Sequence, residues 1–302
     1  MKRKMHSIKR GRANLTFDII NYLILGLVGM IVIYPLYFVL IASISEPDAV
    51  NNGIVIWRPT GFTLEGYRKL FEDARIWMGY RNTLFYTVCG TVFNVILTLI
   101  TAYPLSRTDL AGRKGLIGYF LFTMFFSGGL IPTYLLVNRI GLYNSPFVLI
   151  VLGGISIFNL IIAKSFFESS IPPDLREAAE IDGCGNFRYF IEIVLPLSKA
   201  LIGVLVVYYG ISHWNQYFDA LIYLSKDTLY PLQMVLREIL IQNSNVQNFT
   251  DESMLQEMLQ RERYAGLIKY GVIIVASIPM LTIYPFVQKY FAKGVMLGSV
   301  KG

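Results

Sequence analysis

Six long stretches of this chain contain no Asp, Glu, Lys or Arg: Ile19 to Ser45, Asn82 to Ser106, Gly115 to Asn138, Ile140 to Ala163, Ala200 to Phe218 and Tyr270 to Gln288. Each is rich in Leu, Ile, Val, Phe and Tyr. At about 1.5 Å per helical residue, each is long enough to cross roughly 30 Å of hydrocarbon. Inside lipid every backbone polar group must be satisfied by the chain, and a helix does this within each segment. The pattern predicts an all-α fold, a polytopic membrane bundle of six transmembrane helices. The nearest competitor, Ile239 to Thr250, is short and dominated by Asn, Gln and Ser. Composition agrees: of 302 residues 54% are hydrophobic and 16% charged, where a soluble domain carries about a quarter charged.

The first stretch follows a basic tail, as a signal peptide would, but its apolar run is about twice a cleavable one and reads as a retained anchor. With six spans both termini share a side. The tail carrying Lys2, Arg3, Lys4, Lys9, Arg10 and Arg12 places that side in the cytoplasm. On this assignment the inner segments (1–18, 106–114, 164–199 and from 289 on) hold 16 Lys and Arg against 8 Asp and Glu. The outer segments (46–81, 139 and 219–268) hold 10 against 12. The net charge of +7 therefore marks topology and contact with anionic membrane lipid, not nucleic acid. Cys89, Cys184, His6 and His213 are too few for a disulfide scaffold or a transition-metal site.

Pro35, Pro104, Pro132 after Ser127-Gly128-Gly129, Pro279 and Pro285 fall within the stretches. Such residues bend or break helices, and neighbours or a cavity must then cover the freed backbone groups. In the first outer loop, Trp57-Arg58-Pro59-Thr60-Gly61 reads as a turn before a short helix near Leu64 to Phe71. In the third, Leu232, Val235, Leu236, Ile239 and Leu240 fall at helical spacing, as do Met254, Leu255, Met258 and Leu259 after Asp251. Two such amphipathic helices suit either an external protein or packing back onto the bundle.

The segment from Ser170 to Gly183 is built as a short helix. Pro173 fits a first turn, Asp174 complements the helix N-terminus and Gly183 suits a left-handed stop. Leu175, Ala178, Ala179 and Asp182 share a face whose alanines permit close approach, with Arg176, Glu177 and Glu180 set for ion pairs at its edges. A second helical stretch, Phe187 to Leu195, is expected to stop before Pro196.

Glu177-Ala178-Ala179, three residues, Gly183, nine residues, Ile193, one residue and Leu195-Pro196 together resemble the EAA signature of ABC importer permeases. The segment Phe126 to Tyr134 and the ending Lys293 to Gly302 look like the carbohydrate-uptake branch, of MalG/LplC type. The resemblance covers nearly the whole chain. It implies a second homologous permease subunit, two ATP-binding subunits on the cytoplasmic face, and an extracytoplasmic solute-binding protein. It also implies a bacterial cytoplasmic (inner) membrane location and a carbohydrate cargo, with oligosaccharides released from polysaccharides foremost. Glu177, Ala178, Ala179, Gly183, Ile193 and Pro196 would couple the chain to an ATPase subunit. The domain plan is a basic tail (1–18), a permease domain (19–290) with coupling loop 168–199 and outer loops 46–81 and 223–266, and a C-terminal tail (291–302). The chain carries no Gly-x-x-x-x-Gly-Lys-Ser/Thr phosphate loop, so no cofactor is expected in it, and ATP and magnesium belong to partner subunits.

The fifth stretch carries the densest polar cluster, His213-Trp214-Asn215-Gln216 followed by Asp219. Sugars present hydroxyl edges and apolar ring faces, so a path for them combines amides and carboxylates with aromatic platforms. Asn215, Asp219, Trp214, Tyr209 and Asn94 are the candidates, with Tyr208, Tyr217, Asn82, Tyr134 and Asn159 as further contributors. Interhelical hydrogen bonding and an interfacial aromatic belt account for the same residues. His213 suits a structural hydrogen bond. Two other classes stay open: an integral membrane transferase, which needs clustered carboxylates or a histidine base near one interface, and a secondary transporter, which needs more intramembrane charge.

Overall fold

The computed structural model describes residues 12–244 and 267–282. Among these residues the regular structure is all helical, without strands. The helices are α1 (Arg12–Ser43), α2 (Pro47–Asn51), α3 (Glu65–Glu72), α4 (Ala74–Ser106), α5 (Arg113–Phe125), α6 (Leu130–Arg139), α7 (Val148–Val151) and α8 (Ile157–Ser170). Then come α9 (Pro173–Ile181), α10 (Asn186–Tyr189), α11 (Leu195–Leu197), α12 (Lys199–Trp214), α13 (Phe218–Tyr223) and α14 (Leu232–Ser244). Last is α15 (Leu267–Thr282).

The spans divide into those that run straight and those that do not. Within α1, Phe17–Ser43 forms one apolar helix, and α4 forms another; both are long and apolar enough to cross a membrane. Pro35 interrupts nothing in α1, and Pro104 falls in the last turn of α4. Helix α4 also begins eight residues before the expected Asn82, because Asp73 caps it by accepting from the Arg75 N–H at 2.9 Å.

The third stretch is not one span: α5 and α6 meet at 111° across the Ser127-Gly128-Gly129 break. The fourth is not continuous either. Its first half holds only α7, and α8 starts afresh at Ile157, where the Ser156 side chain accepts from the Asn159 N–H at 3.5 Å. The fifth ends early, at Trp214, and α13 begins again at Phe218. The helix before α12 runs from Asn186 to Leu197, meets α12 at 80° and passes through Pro196 instead of stopping before it. A π turn at Phe190–Val194 shifts the hydrogen-bond register just ahead of the proline. In the sixth stretch, Pro279 lies inside α15, while Pro285 and Gln288 lie outside the described residues.

The chain divides into two compact units. The first comprises residues 1–70 and 243–274. Its small core is Ile41, Ala49 and Val55. Tyr37 Oη donates to the Trp57 carbonyl at 2.7 Å, and Tyr67 Oη donates to Ser43 Oγ at 2.8 Å. Phe38 meets Tyr270 edge to face at 5.7 Å. Most of α1 from Phe17 to Leu40 leaves large apolar side chains exposed, as a helix facing lipid or another subunit does.

The second unit, residues 71–242 and 275–302, is built around α4. Val95, Leu99, Ala102 and Leu105 of α4, Leu160, Ala163 and Phe167 of α8, and Leu201, Leu205 and Tyr209 of α12 recur at three- and four-residue spacing and form one core. Helix α14, the first of the two helices expected in the third outer loop, packs back onto this unit. Leu232, Val235, Leu236 and Ile239 of α14 are buried. Thr83 Oγ1 accepts from the Leu232 N–H at 2.7 Å, and Asn82 Nδ2 donates to the Thr228 and Tyr230 carbonyls at 2.8 and 3.0 Å. The helix expected around Met254 to Leu259 lies outside the described residues.

Candidate functional site

Helix α9 carries its own start and stop. Pro172 and Pro173 open it with Asp174 in the first turn. At the far end Gly183 adopts φ +75°, a left-handed conformation that costs a residue bearing Cβ about 1–2 kcal/mol. The Gly183 N–H then reaches the Glu180 carbonyl at 3.1 Å, and the Cys184 N–H reaches the Ala179 carbonyl at 2.8 Å. This paired closure satisfies two orphan carbonyls.

The face expected to be shared by four residues is split. Ala179 turns into the core with Ala102, Leu105, Tyr189 and Val194, while Leu175 and Ala178 stay exposed. The close approach that small residues allow is thus made by Ala179 to its own chain. Ile193 is half-buried against the same core, and Pro196 is exposed. Glu177 is exposed and has no ion-pair or hydrogen-bond partner among the described residues. Nearby, Ile181 and Phe187 are 87% and 77% exposed. One side of α9 is thus anchored by buried Ala179, and the other carries bare charged and apolar groups.

Charged groups brace α9 from two loops. Arg107, just past α4, donates from Nε and Nη2 to the two carboxylate oxygens of Asp109 at 3.0 and 2.6 Å, and from Nη1 to Asn186 Oδ1 at 2.6 Å. Arg176 of α9 donates to Asp109 Oδ2 at 3.1 Å and to Glu180 Oε1 at 2.7 Å. The Arg107 hydrogen bonds, reinforced by Arg176 against partial desolvation, hold the Asp109 carboxyl well below the usual carboxylate range. Alongside, Arg113 pairs with Glu168 and donates from Nε to the Leu105 carbonyl at 2.8 Å, and Lys164 reaches Glu168 at 2.8 Å. The sequence pattern marked the edges of α9 for ion pairs but not Arg107, Asp109 or Asn186. The only trace of Arg107 and Asp109 was the charge in the short 106–114 loop.

The second polar region lies between α4 and α12. Gln216 Nε2 donates to Asp219 Oδ2 at 2.9 Å, so its Oε1 is the acceptor facing His213 Nδ1 at 3.2 Å. That arrangement puts the imidazole proton on Nδ1 and leaves Nε2 to accept from Asn94 Nδ2 at 3.2 Å. Gly90 makes room for the ring: a Cβ there would sit 2.4 Å from it. Thr87 Oγ1, Thr91 Oγ1 and Asn94 Oδ1 are buried along one stripe of α4 without partners among the described residues.

The expected path residues fall into two sets. Asn94, Tyr209 and Trp214 are buried. Tyr209 Oη accepts from the Ser156 N–H at 3.0 Å and lies 2.6 Å from Thr98 Oγ1, and Trp214 Nε1 donates to the Ala276 carbonyl at 3.2 Å. Asn215 is exposed and donates to the Ile211 carbonyl at 2.9 Å, while Asp219 is half-buried at the end of the His213 chain. Of the remaining contributors, Asn82 holds the 228–230 loop, Asn159 is buried, and Tyr134 stacks on Tyr223 at 6.2 Å. Tyr208 packs edge-on against Phe158 at 6.2 Å, and Tyr217 is exposed.

Residues 76–297 match the family described as binding-protein-dependent transport system inner membrane component, and the chain belongs to that family. It is 41% identical over 289 residues to the polygalacturonan/rhamnogalacturonan transport system permease protein YtcP of Bacillus subtilis, covering 96% of this chain and 99% of that one. It is 40% identical over 299 residues to the protein LplC of the same organism, covering 99% and 98%. Its fold also matches a chain in the crystal structure of a bacterial ABC transporter involved in the import of the acidic polysaccharide alginate. There the TM-score is 0.83 at 30% identity, over 93% of this chain and 98% of the other. The chain is thus a permease subunit of an ABC import system, a class that works with ATPase and binding-protein subunits.

Proposed function

We propose that this chain forms half of the translocation path of an ATP-driven oligosaccharide importer in the bacterial cytoplasmic membrane. It pairs with a second, homologous permease subunit. Two ATP-binding subunits bind ATP and magnesium on its cytoplasmic face, and an extracytoplasmic solute-binding protein delivers the sugar; the chain itself has no catalytic site. Six crossings place both termini in the cytoplasm, where the basic tail 1–18 and the tail 291–302 flank the permease domain 19–290. The bent pairs α5–α6 and α10–α12 belong to this count, since a crossing need not be one straight helix when neighbours cover its broken backbone.

The observation that carries the reading is α9 itself: anchored inward by Ala179 and presenting Glu177 without a partner among the described residues. In this reading α9 is the coupling helix, seated in a cleft of an ATP-binding subunit. When those subunits close, α9 moves with them. Because Ala179 belongs to the same buried cluster as residues of α4, α8 and α12, the displacement would pass into the bundle as a rigid-body shift between inward- and outward-facing states. The domain plan follows from this: loop 168–199 couples, and loops 46–81 and 223–266 face the binding protein.

The cargo reading rests on YtcP, named for polygalacturonan/rhamnogalacturonan transport, and on the matched transporter involved in importing the acidic polysaccharide alginate. In this reading exposed Asn215 and half-buried Asp219 would meet sugar hydroxyl groups, and the buried Trp214, Tyr209 and Asn94 would support the path from within the bundle. The complete complex, reconstituted in vesicles, tests the function directly. Uronate-containing oligosaccharides, presented with the binding protein, should stimulate ATP hydrolysis and accumulate inside, more than neutral maltodextrins do. Uptake driven by an ion gradient without ATP, or failure of the chain to co-purify with ATP-binding subunits, would overturn the reading.

A further inference from the structure

Ala179 gives α9 one buried attachment, and a single small side chain fixes position better than orientation. The orientation is held elsewhere. Asp109 Oδ2 accepts from Arg107 Nη2 at 2.6 Å and from Arg176 Nη2 at 3.1 Å, so one carboxylate oxygen joins the end of α4 to α9. Arg107 adds the bond to Asn186 Oδ1 at 2.6 Å, tying the start of α10 to the same point. Three elements that the sequence separates by up to 79 residues thus converge on one loop carboxylate and its guanidinium.

An isolated exposed ion pair contributes little to stability, but a bidentate guanidinium–carboxylate pair shared within a network is directional. Its effect is on the angle at which α9 leaves the bundle. We propose that Asp109 is a positioning residue that makes α9 and α4 turn together, so that motion of α9 reaches the second span as well as the fourth and fifth. This rests on the reading of α9 as the coupling helix. Without Asp109, Arg107 and Arg176 face each other as like charges, and α9 can rock about Ala179 without carrying α4 with it.

The complete transporter in vesicles provides the test, with sugar uptake and ATP hydrolysis measured on the same sample and assembly read by co-purification of the ATP-binding subunits. Asp109→Ala should leave hydrolysis within about two-fold while lowering uptake roughly five-fold, raising the ATP consumed per sugar by the same factor. Asp109→Glu should keep the parent ratio. Arg176→Ala should raise the ratio similarly, and the double variant should be no worse than either single one, because both delete one link. If Asp109→Ala weakens assembly, Asp109→Asn, which keeps an acceptor oxygen but not the charge, carries the same expectation.

An unchanged ratio in the assembled Asp109→Ala or Asp109→Asn variant, or additive losses in the double variant, overturns the proposal. Glu177→Arg separates the two levels. If it leaves uptake intact, the coupling reading itself fails; if it stops uptake while Asp109→Ala and Asp109→Asn behave as the parent, only the joint fails.

Discussion

Around Asp109 the polar groups are mostly charged, at least partly exposed and hold one another across loops; around His213 they are, Asp219 apart, neutral and more deeply buried, and His213 and Asn94 meet across helices. The first region tolerates water, so its bonds can break and re-form as α9 moves, and its geometry depends on charge. The second is largely buried, so its geometry depends on fit. A transporter needs both: a hinge region that transmits force and an interior that keeps its packing while force is applied. The contrast predicts that substitutions near α9 alter coupling with little loss of stability, and that substitutions near His213 do the reverse.

The largest effect belongs to Glu177→Arg. Reversing the charge on the free face of α9 should lower uptake by a factor of roughly 100 or more, as removal of a charge-assisted docking contact does. Capture of the sugar-loaded binding protein by the complex should persist, and the thermal midpoint of the purified subunit should stay put. A falling midpoint would place Glu177 with the fit-dependent class and blur the contrast.

Next comes Gly183→Val. At φ +75° a β-branched residue is strained by about 1–2 kcal/mol, and the closure through Glu180 and Ala179 loosens. Uptake should drop roughly ten-fold, with Gly183→Asn less affected because Asn tolerates this conformation. Equal loss in the Asn and Val variants would mean that backbone conformation is not what matters there.

These two positions show what local sequence discloses. Pro173, Asp174 and Gly183 state the limits of α9 because capping is decided within a few residues, and the expected helix matches Pro173–Ile181. The spans were less readable. An uncharged run says that a segment avoids water, not that it is straight, so Ser127-Gly128-Gly129 and Gly153-Gly154 broke two stretches that charge alone had joined. The pairing of Asp109 with Arg176, and of Asn94 with His213, depends on which helices pack together, and no spacing in the chain encodes that. Tyr209 and Asn94 were legible as polar residues at membrane depth, but their burial against Ser156 and His213 was not.

Gly90→Ala tests the other side of the contrast. The new methyl would lie 2.4 Å from the His213 ring, so α4 and α12 must part or the ring must turn. Overpacking of this kind costs about 1–3 kcal/mol. The variant should melt at a lower temperature, with ATP consumed per sugar unchanged in whatever fraction assembles. Adding His213→Ala should recover most of the lost stability, because the two side chains compete for one space. A raised ATP-to-sugar ratio in Gly90→Ala would show that the buried seam takes part in coupling.

The smallest effect is that of pH on the Asp109 joint. A carboxyl whose folded value is depressed stabilises the folded arrangement above its unfolded value of about 3.9, and that contribution is lost only as pH falls through the lower, folded value. Asp109 is held below the usual carboxylate range by Arg107 first and Arg176 after it. The joint therefore stays charged and closed across the neutral and mildly acidic range, and acidification from about pH 8 to about pH 5.5 should not open it. The ratio of uptake by the parent to uptake by Asp109→Ala should accordingly stay flat over that range, even if both fall for other reasons. A parent advantage that vanished near the acidic end would mean that Asp109 is protonated there, and that Arg107 does not hold it as an anion while α9 is moving.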